Sequence, residues 1–142
     1  MNHLFSVALA LLMLTPQNQK LPDAFYTLPE QVREKATIIV TGTYQQGRSP
    51  CIFMPDGSRV WALEAWFQIK KVYRGQVGGK SIYIERSTPK AEAAGTDLEV
   101  GREYLVFLRP SEESMKAIKA GEYVPAWDAL HDDEIIAIVG LK

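Results

Sequence analysis

Residues 61–75, WALEAWFQIKKVYRG, alternate between two sets of side chains, and this alternation constrains the fold more than any other feature. A period of two belongs to a β-strand, in which successive side chains point to opposite faces. The apolar set is Trp61, Leu63, Ala65, Phe67 and Ile69, and the set expected on the more solvent-exposed face is Ala62, Glu64, Trp66, Gln68 and Lys70. The segment is therefore predicted to be a long strand with one face toward a core.

Four further segments are predicted to be strands because they are rich in β-branched and aromatic residues. They are residues 37–44, 80–87, 102–110 and 134–141. Gly42 inside the first permits a bulge or a tight bend. The short glycine-rich connection before residue 80 indicates an antiparallel pair with the long strand. REYLVFLRP is apolar on both faces, so it should be central.

The remaining segments predict a hairpin and short helices. Pro55, Asp56 and Gly57 form a turn whose second arm is expected to run on into the long strand. LPEQVREKA, residues 28–36, should be a short helix. Ser111 as N-cap and Gly121 as stop predict another short helix.

These elements together predict an all-β fold, a small closed five-stranded barrel rather than a sandwich, with one or two short helices. The chain has 142 residues, which is most simply one domain. The predicted organisation is a signal peptide over residues 1–20, an N-terminal lead with a short helix over 21–36, and the barrel over 37–142.

The apolar run LFSVALALLML has the length of a signal peptide and is too short for a comfortable membrane span. We therefore expect an exported protein, periplasmic, cell-surface or secreted, with cleavage between residues 15 and 24. No stable membrane span is expected after cleavage. An uncleaved anchor is the alternative.

A net charge of -1 argues against a nucleic-acid-binding protein, which needs clustered positive charge. Residues 70–90 are mainly basic and residues 92–134 mainly acidic, which predicts either a dipolar surface that steers a charged partner or solvated strand edges. Cys51 is the only cysteine, so an internal disulfide is excluded. Burial as a small hydrophobe is favoured over pairing with another chain and over a reactive thiol.

No catalytic constellation, metal site or cofactor is predicted from the sequence, which lacks the common hydrolase, zinc-protease and nucleotide-binding motifs. The cluster HDDE, residues 131–134, is expected to be a solvated loop, with weak calcium or zinc binding as the alternative. The candidate binding residues are Trp66, Tyr83 and Lys70, since β-barrels that bind single strands or sugars stack these ligands on exposed aromatics beside basic residues. Packing of these aromatics under loops is the other interpretation.

Three blocks in fixed order carry a family resemblance: ATIIVTGT at 36–43, FQIKKVYRG at 67–75 and AGTDLEVGREYLVF at 94–107. Together they resemble the tissue-inhibitor-of-metalloproteinase-like, or netrin-like, family, especially its short exported bacterial members. The resemblance implies a five-stranded OB barrel. Family members often carry cysteine where this chain has Ala94, and Cys51 lies too deep in the chain to serve as the N-terminal, zinc-binding cysteine of eukaryotic inhibitors.

The predicted function is accordingly an exported, non-catalytic binding module for a protein or a cell-envelope component. One alternative is a metalloprotease inhibitor that does not use an N-terminal cysteine. The other is an uncharacterised enzyme, which would require His131 to meet Asp132 or Glu134 at hydrogen-bonding distance.

Overall fold

The structure, a computed structural model, describes residues 20–48, 52–60, 63–85, 98–122 and 128–141. The elements in chain order are the 3-10 helix Asp23–Thr27, α1 (Glu30–Arg33), β1 (Ile38–Arg48), β2 (Ile52–Phe53), β3 (Arg59–Val60), β4 (Leu63–Arg74), β5 (Ser81–Ile84), β6 (Glu103–Leu108), α2 (Glu112–Ala120), the 3-10 helix Asp132–Glu134 and β7 (Ile135–Gly140). The leader, Cys51, Trp61 and Ala94 lie outside the described residues, so the predictions about them stay predictions.

Five strands pair antiparallel in the order β5-β4-β1-β6-β7. This arrangement, with two short α-helices, confirms the predicted all-β class. The edge strand β5 meets the segment before β7 at one parallel bridge, where the Leu130 amide donates to the Tyr83 carbonyl at 2.8 Å and the Glu85 amide donates to the Leu130 carbonyl at 2.9 Å. Because no continuous ladder among the described residues closes the sheet, it is barrel-like only approximately.

The bulge predicted at Gly42 is confirmed, since the register of β1 against β4 shifts between Thr41 and Gly42. A Cβ at Gly42 would lie only 3.0 Å from the carbonyl oxygen of Gln68, so the strands approach closely there. β1 also continues to Arg48, beyond the predicted end at residue 44, because β4 is long enough to pair these additional residues.

The predicted hairpin is present between β2 and β3. Gly57 has a φ of 84°, and the Asp56 Oδ1 accepts a hydrogen bond from the Ser58 amide at 2.9 Å, an Asx-type turn. The expected continuation into the long strand falls on residues 61 and 62, outside the described residues, and stays a prediction. Among the described residues, Val60 pairs within a two-stranded sheet and Leu63 pairs with β1.

One face of the five-stranded sheet builds the main hydrophobic core, as the alternation in β4 predicted. Its fully buried members include Ile38, Val40, Phe67, Ile82, Val106, Leu108, Ile118, Leu130 and Ile138. Ile118 comes from α2, whose predicted caps are confirmed by a 3.2 Å hydrogen bond from the Ser114 amide to the Ser111 hydroxyl and by a φ of 70° at Gly121.

The opposite face is covered in part by the N-terminal lead. Phe25 of the 3-10 helix stacks on Phe107 of β6, with ring centroids 5.9 Å apart, and the Arg33 guanidinium lies 4.7 Å from the Phe25 centroid. This second cluster also contains Leu105 and Val139, from β6 and β7. The lead therefore packs over the β6 and β7 side of the sheet and is a brace for it.

Across the described part of the chain, none of the helices is both long and apolar enough to span a membrane.

Candidate functional site

Trp66 and Tyr83, two of the predicted binding residues, lie side by side on the side of the sheet away from the main core. They are direct cross-strand partners on β4 and β5, with ring centroids 5.9 Å apart and ring planes inclined at 42°. Both side chains are partly exposed. A Cβ at Gly47 would lie 3.1 Å from the Trp66 Cη2, so the indole extends across β1 over a residue with no side chain.

The strands beside this aromatic pair carry amides and hydroxyls. Gln45 on β1 pairs with Trp66, and Gln68 on β4 pairs with Ser81 on one side and Thr43 on the other. These residues share the outward direction of Trp66 because side chains alternate along each strand. We call Trp66, Tyr83 and these polar neighbours the outer face. It combines an aromatic surface with groups that both donate and accept hydrogen bonds.

Lys70, the third predicted residue, lies on the same side of β4, but its charge is already paired. Its Nζ lies 3.1 Å from the Glu103 Oε2, and both side chains are substantially exposed. An exposed ion pair of this kind contributes little to stability. It does place a carboxylate beside the lysine, so Lys70 presents no uncompensated positive charge next to Trp66.

The Tyr83 hydroxyl is neutral over the physiological pH range. Burial raises the pKa of this phenol above 10, and the nearby Glu64 carboxylate raises it further. With Lys70 balanced by Glu103, the described residues of the outer face offer stacking and hydrogen bonding. Binding to a phosphate backbone would call for clustered cations instead.

The polar cluster at residues 131–134 forms structural contacts. Glu134 is 5% exposed, its Oε1 accepts from the Ser111 amide and its Oε2 accepts from the His131 amide, each at 2.9 Å. The His131 side chain turns to Glu85, with 2.6 Å between the Nδ1 and the Oε1. The expectation of a solvated loop is therefore wrong for Glu134. Its carboxylate is buried because it accepts hydrogen bonds from two chain segments.

Hydrogen bonding dominates the ionisation of Glu134. Burial acts to raise the pKa of this carboxyl, but hydrogen bonds from the Ser114 hydroxyl and from the Ser111 and His131 amides outweigh it, and the pKa lies below the usual 4.5. Glu134 is thus a charged structural cap. The enzyme alternative required His131 to meet Asp132 or Glu134; the His131 imidazole is paired with the Glu85 carboxylate, and the Glu134 carboxylate accepts from the His131 backbone amide.

Within residues 20–48, 52–60, 63–85, 98–122 and 128–141, three or more histidine, cysteine, aspartate or glutamate side chains nowhere gather closely enough to hold a metal ion.

A cavity of about 630 Å³ lies between the first 3-10 helix and the sheet, on the side away from the main core. The lead contributes Asp23 and Ala24, and the sheet contributes Thr41, Tyr73, Glu103 and Val139. Sequence reasoning missed this cavity because its walls come from segments far apart in the chain.

Comparison of the chain with protein-family models, with curated proteins and with solved structures gave no match.

Proposed function

We propose that this protein is an exported, non-catalytic binding module whose outer face contacts a protein or another cell-envelope component. The observation that carries the proposal is the pairing of Trp66 with Tyr83 on a part of the sheet that the lead does not pack against. Large, partly exposed aromatics flanked by polar groups are typical of interaction surfaces, where a few such residues carry most of the binding energy.

The non-catalytic part of the proposal rests on what the polar side chains do. Both oxygens of Glu134 accept backbone hydrogen bonds, and the His131 side chain is paired with Glu85. These groups hold loops in place and are not arranged as a free acid and base. The resemblance to netrin-like proteins also supports a binding role. The leader-like run at residues 4–14 supports export.

Co-sedimentation of the purified protein with an isolated envelope fraction tests the proposal. The wild type is expected to bind saturably. Replacing both aromatics, Trp66→Ala with Tyr83→Ala, should weaken binding about tenfold or more, as expected when hot-spot side chains are removed. Tyr26→Ala is the matched control, because Tyr26 is a 64% exposed aromatic on the lead.

Folding of the variants is checked by circular dichroism, and Trp66→Phe, which keeps an aromatic ring, should retain most of the binding. If the double variant co-sediments with the envelope fraction as well as the wild type does, the proposal is contradicted. A parallel assay on a panel of zinc proteases addresses the inhibitor alternative. Inhibition that survives loss of Trp66 and Tyr83 would favour that alternative over the binding module.

A further inference from the structure

The side chains around the aromatic pair of the outer face are polar. Around Trp66 and Tyr83, the outward-pointing residues that the structure describes on β1, β4 and β5 include no aliphatic residue. They are Thr43, Gln45, Gly47, Glu64, Gln68 and Ser81. The buried core of a protein interface is more apolar than its rim. The two rings of the outer face are instead surrounded by groups that form hydrogen bonds.

The two rings form one contiguous aromatic surface. A Cβ at Gly47 would lie 3.1 Å from the Cη2 and 3.2 Å from the Cζ3 of Trp66, so the far end of the indole lies over β1. The Tyr83 ring follows on the other side, with its centroid 5.9 Å from that of Trp66. Because both residues remain partly exposed, ring surface is left for a ligand to stack on.

A sugar ring matches this combination of groups. The face of an aromatic ring carries partial negative charge, which attracts the C–H groups on the less polar face of a pyranose. The hydroxyl groups at the edge of the sugar both donate and accept hydrogen bonds, and so do side-chain amides. Gln45 is the cross-strand partner of Trp66, and Gln68 lies two residues further along β4. The amides therefore lie where the edge of a stacked sugar would reach them.

The charges beside the rings favour an uncharged ligand. Lys70 is already paired with Glu103, with 3.1 Å between the Nζ and the Oε2. Glu64 lies close enough to Tyr83 for its carboxylate to oppose ionisation of the phenol. An anionic polysaccharide or a nucleic acid stacked on the rings would approach the Glu64 carboxylate, and like charges repel. An uncharged chain avoids this repulsion.

We infer that the outer face binds an uncharged glycan. One sugar ring stacks on Trp66 and Tyr83, and its hydroxyl groups bond to the amides of Gln45 and Gln68. The inference rests on the proposed function, because it names the class of envelope component that the same face recognises. A polypeptide is the competing occupant, and the tests distinguish the two.

Three uncharged tetrasaccharides, chitotetraose, cellotetraose and maltotetraose, serve as probes, with anionic tetragalacturonate as the matched comparison. Each is titrated into the isotopically labelled full chain while amide chemical shifts are recorded. At least one uncharged probe should give saturable shifts at residues 43–47, 64–68 and 81–83. Tetragalacturonate should bind at least about threefold more weakly than that probe, because of its charge.

Two substitutions separate stacking from hydrogen bonding. Trp66→Ala should weaken binding of the uncharged probe about tenfold or more, since it removes the larger ring. Gln68→Leu, at an exposed position, should weaken it about three- to tenfold through loss of a hydrogen bond, with little change in melting temperature. Gln76→Leu, the same change at an exposed residue between β4 and β5, is the control and should leave the affinity unchanged.

The envelope fraction supplies the second test. It is digested with protease, and the protease is inactivated and washed out before co-sedimentation. The digested fraction should still bind the protein, and the tetrasaccharide that binds in the titration should displace it. Loss of binding after digestion would overturn the glycan assignment and leave the proposed function standing, with a polypeptide as the ligand.

The two proposals therefore fail in different ways. Absence of saturable shifts with all three uncharged probes would overturn the glycan assignment, and so would Gln68→Leu binding as tightly as wild type. Equal or tighter binding of tetragalacturonate would overturn the assignment of an uncharged ligand. Absence of binding to the undigested envelope fraction would instead contradict the proposed function.

Discussion

Replacing Glu134 by glutamine should destabilise the protein through two specific hydrogen bonds. The carboxylate joins the start of α2 to the start of β7, because its oxygens accept from the Ser111 and His131 amides at 2.9 Å each. Glutamine offers one oxygen and one NH₂ group, so one of these two amides would then face a donor. Loss of one hydrogen bond to a charged acceptor costs about 1.5 to 3 kcal/mol. That is a substantial part of a total stability of roughly 5 to 15 kcal/mol.

The same carboxylate predicts a pH dependence whose sign follows from its ionisation. Its pKa in the folded protein lies below the usual 4.5, because hydrogen bonds to the charged form outweigh burial. The unfolded chain therefore takes up the proton first as the solution is acidified. The stabilisation is fully present above about pH 4.5 and is lost as the pH falls through the folded-state pKa.

Urea unfolding, followed by circular dichroism, tests both the predicted loss of stability and its predicted pH dependence. It is measured at pH 7 and at several pH values between 5 and 3. Relative to wild type, Glu134→Gln should be less stable at pH 7 and should lose less stability on acidification. Asp133→Asn, a change at an exposed neighbour, should leave both quantities nearly unchanged. A Glu134→Gln variant within about 0.5 kcal/mol of wild type at pH 7, with the same acid dependence, would refute the reasoning.

Two further substitutions test the packing, and a double-mutant cycle tests an exposed ion pair. Gly78→Ala should cost about 1 to 3 kcal/mol or prevent folding, because its Cβ would lie 2.0 Å from the backbone oxygen of Lys119, and thermal unfolding measures the loss. Phe107→Ala should cost about 3 to 5 kcal/mol in urea unfolding, since Phe107 is fully buried. A double-mutant cycle on Lys70 and Glu103 should give a coupling below about 1 kcal/mol that decreases with salt.

Controls for these substitutions come from exposed positions. Val100→Ala, at a 57% exposed residue, should change stability by less than about 0.5 kcal/mol. In Gly57→Ala the added Cβ meets no atom within 4 Å, so only the positive φ of 84° opposes the substitution, at a cost of about 1 to 2 kcal/mol in stability.

A Gly78→Ala variant as stable as wild type would mean that α2 does not pack against the β4 to β5 connection. A Lys70 to Glu103 coupling well above 1 kcal/mol would mean that the pair is less solvated than its exposure indicates.

The strands could be predicted because their signal is local. Alternation in β4 correctly placed Ala65 and Phe67 in the core and Trp66 on the outer face. The apolar character of both sides of β6 correctly indicated a strand with neighbours on each edge. The caps of α2 were also readable, since serine and glycine act on the backbone within a few residues of themselves.

What escaped prediction depends on contacts between distant segments. The lead was expected to be a lid or brace, but its partner β6 follows from Phe25 meeting Phe107, and the role of Glu134 follows from its contact with Ser111. The pairing of Lys70 with Glu103 likewise joins strands that are separated in sequence. Composition and periodicity carry no information about such pairs, so the predicted trio of binding residues did not include the carboxylate that balances its lysine.

The most direct test of a recognition role for the outer face is to map where a ligand touches the protein. Labelled full-length protein is mixed with increasing amounts of solubilised envelope extract, and the loss of amide signal is followed residue by residue. Broadening is predicted to concentrate on residues 43–47, 64–70 and 81–84, around Trp66 and Tyr83. Broadening confined to the lead or to α2, or no broadening at any concentration, would contradict a recognition role for this side of the sheet.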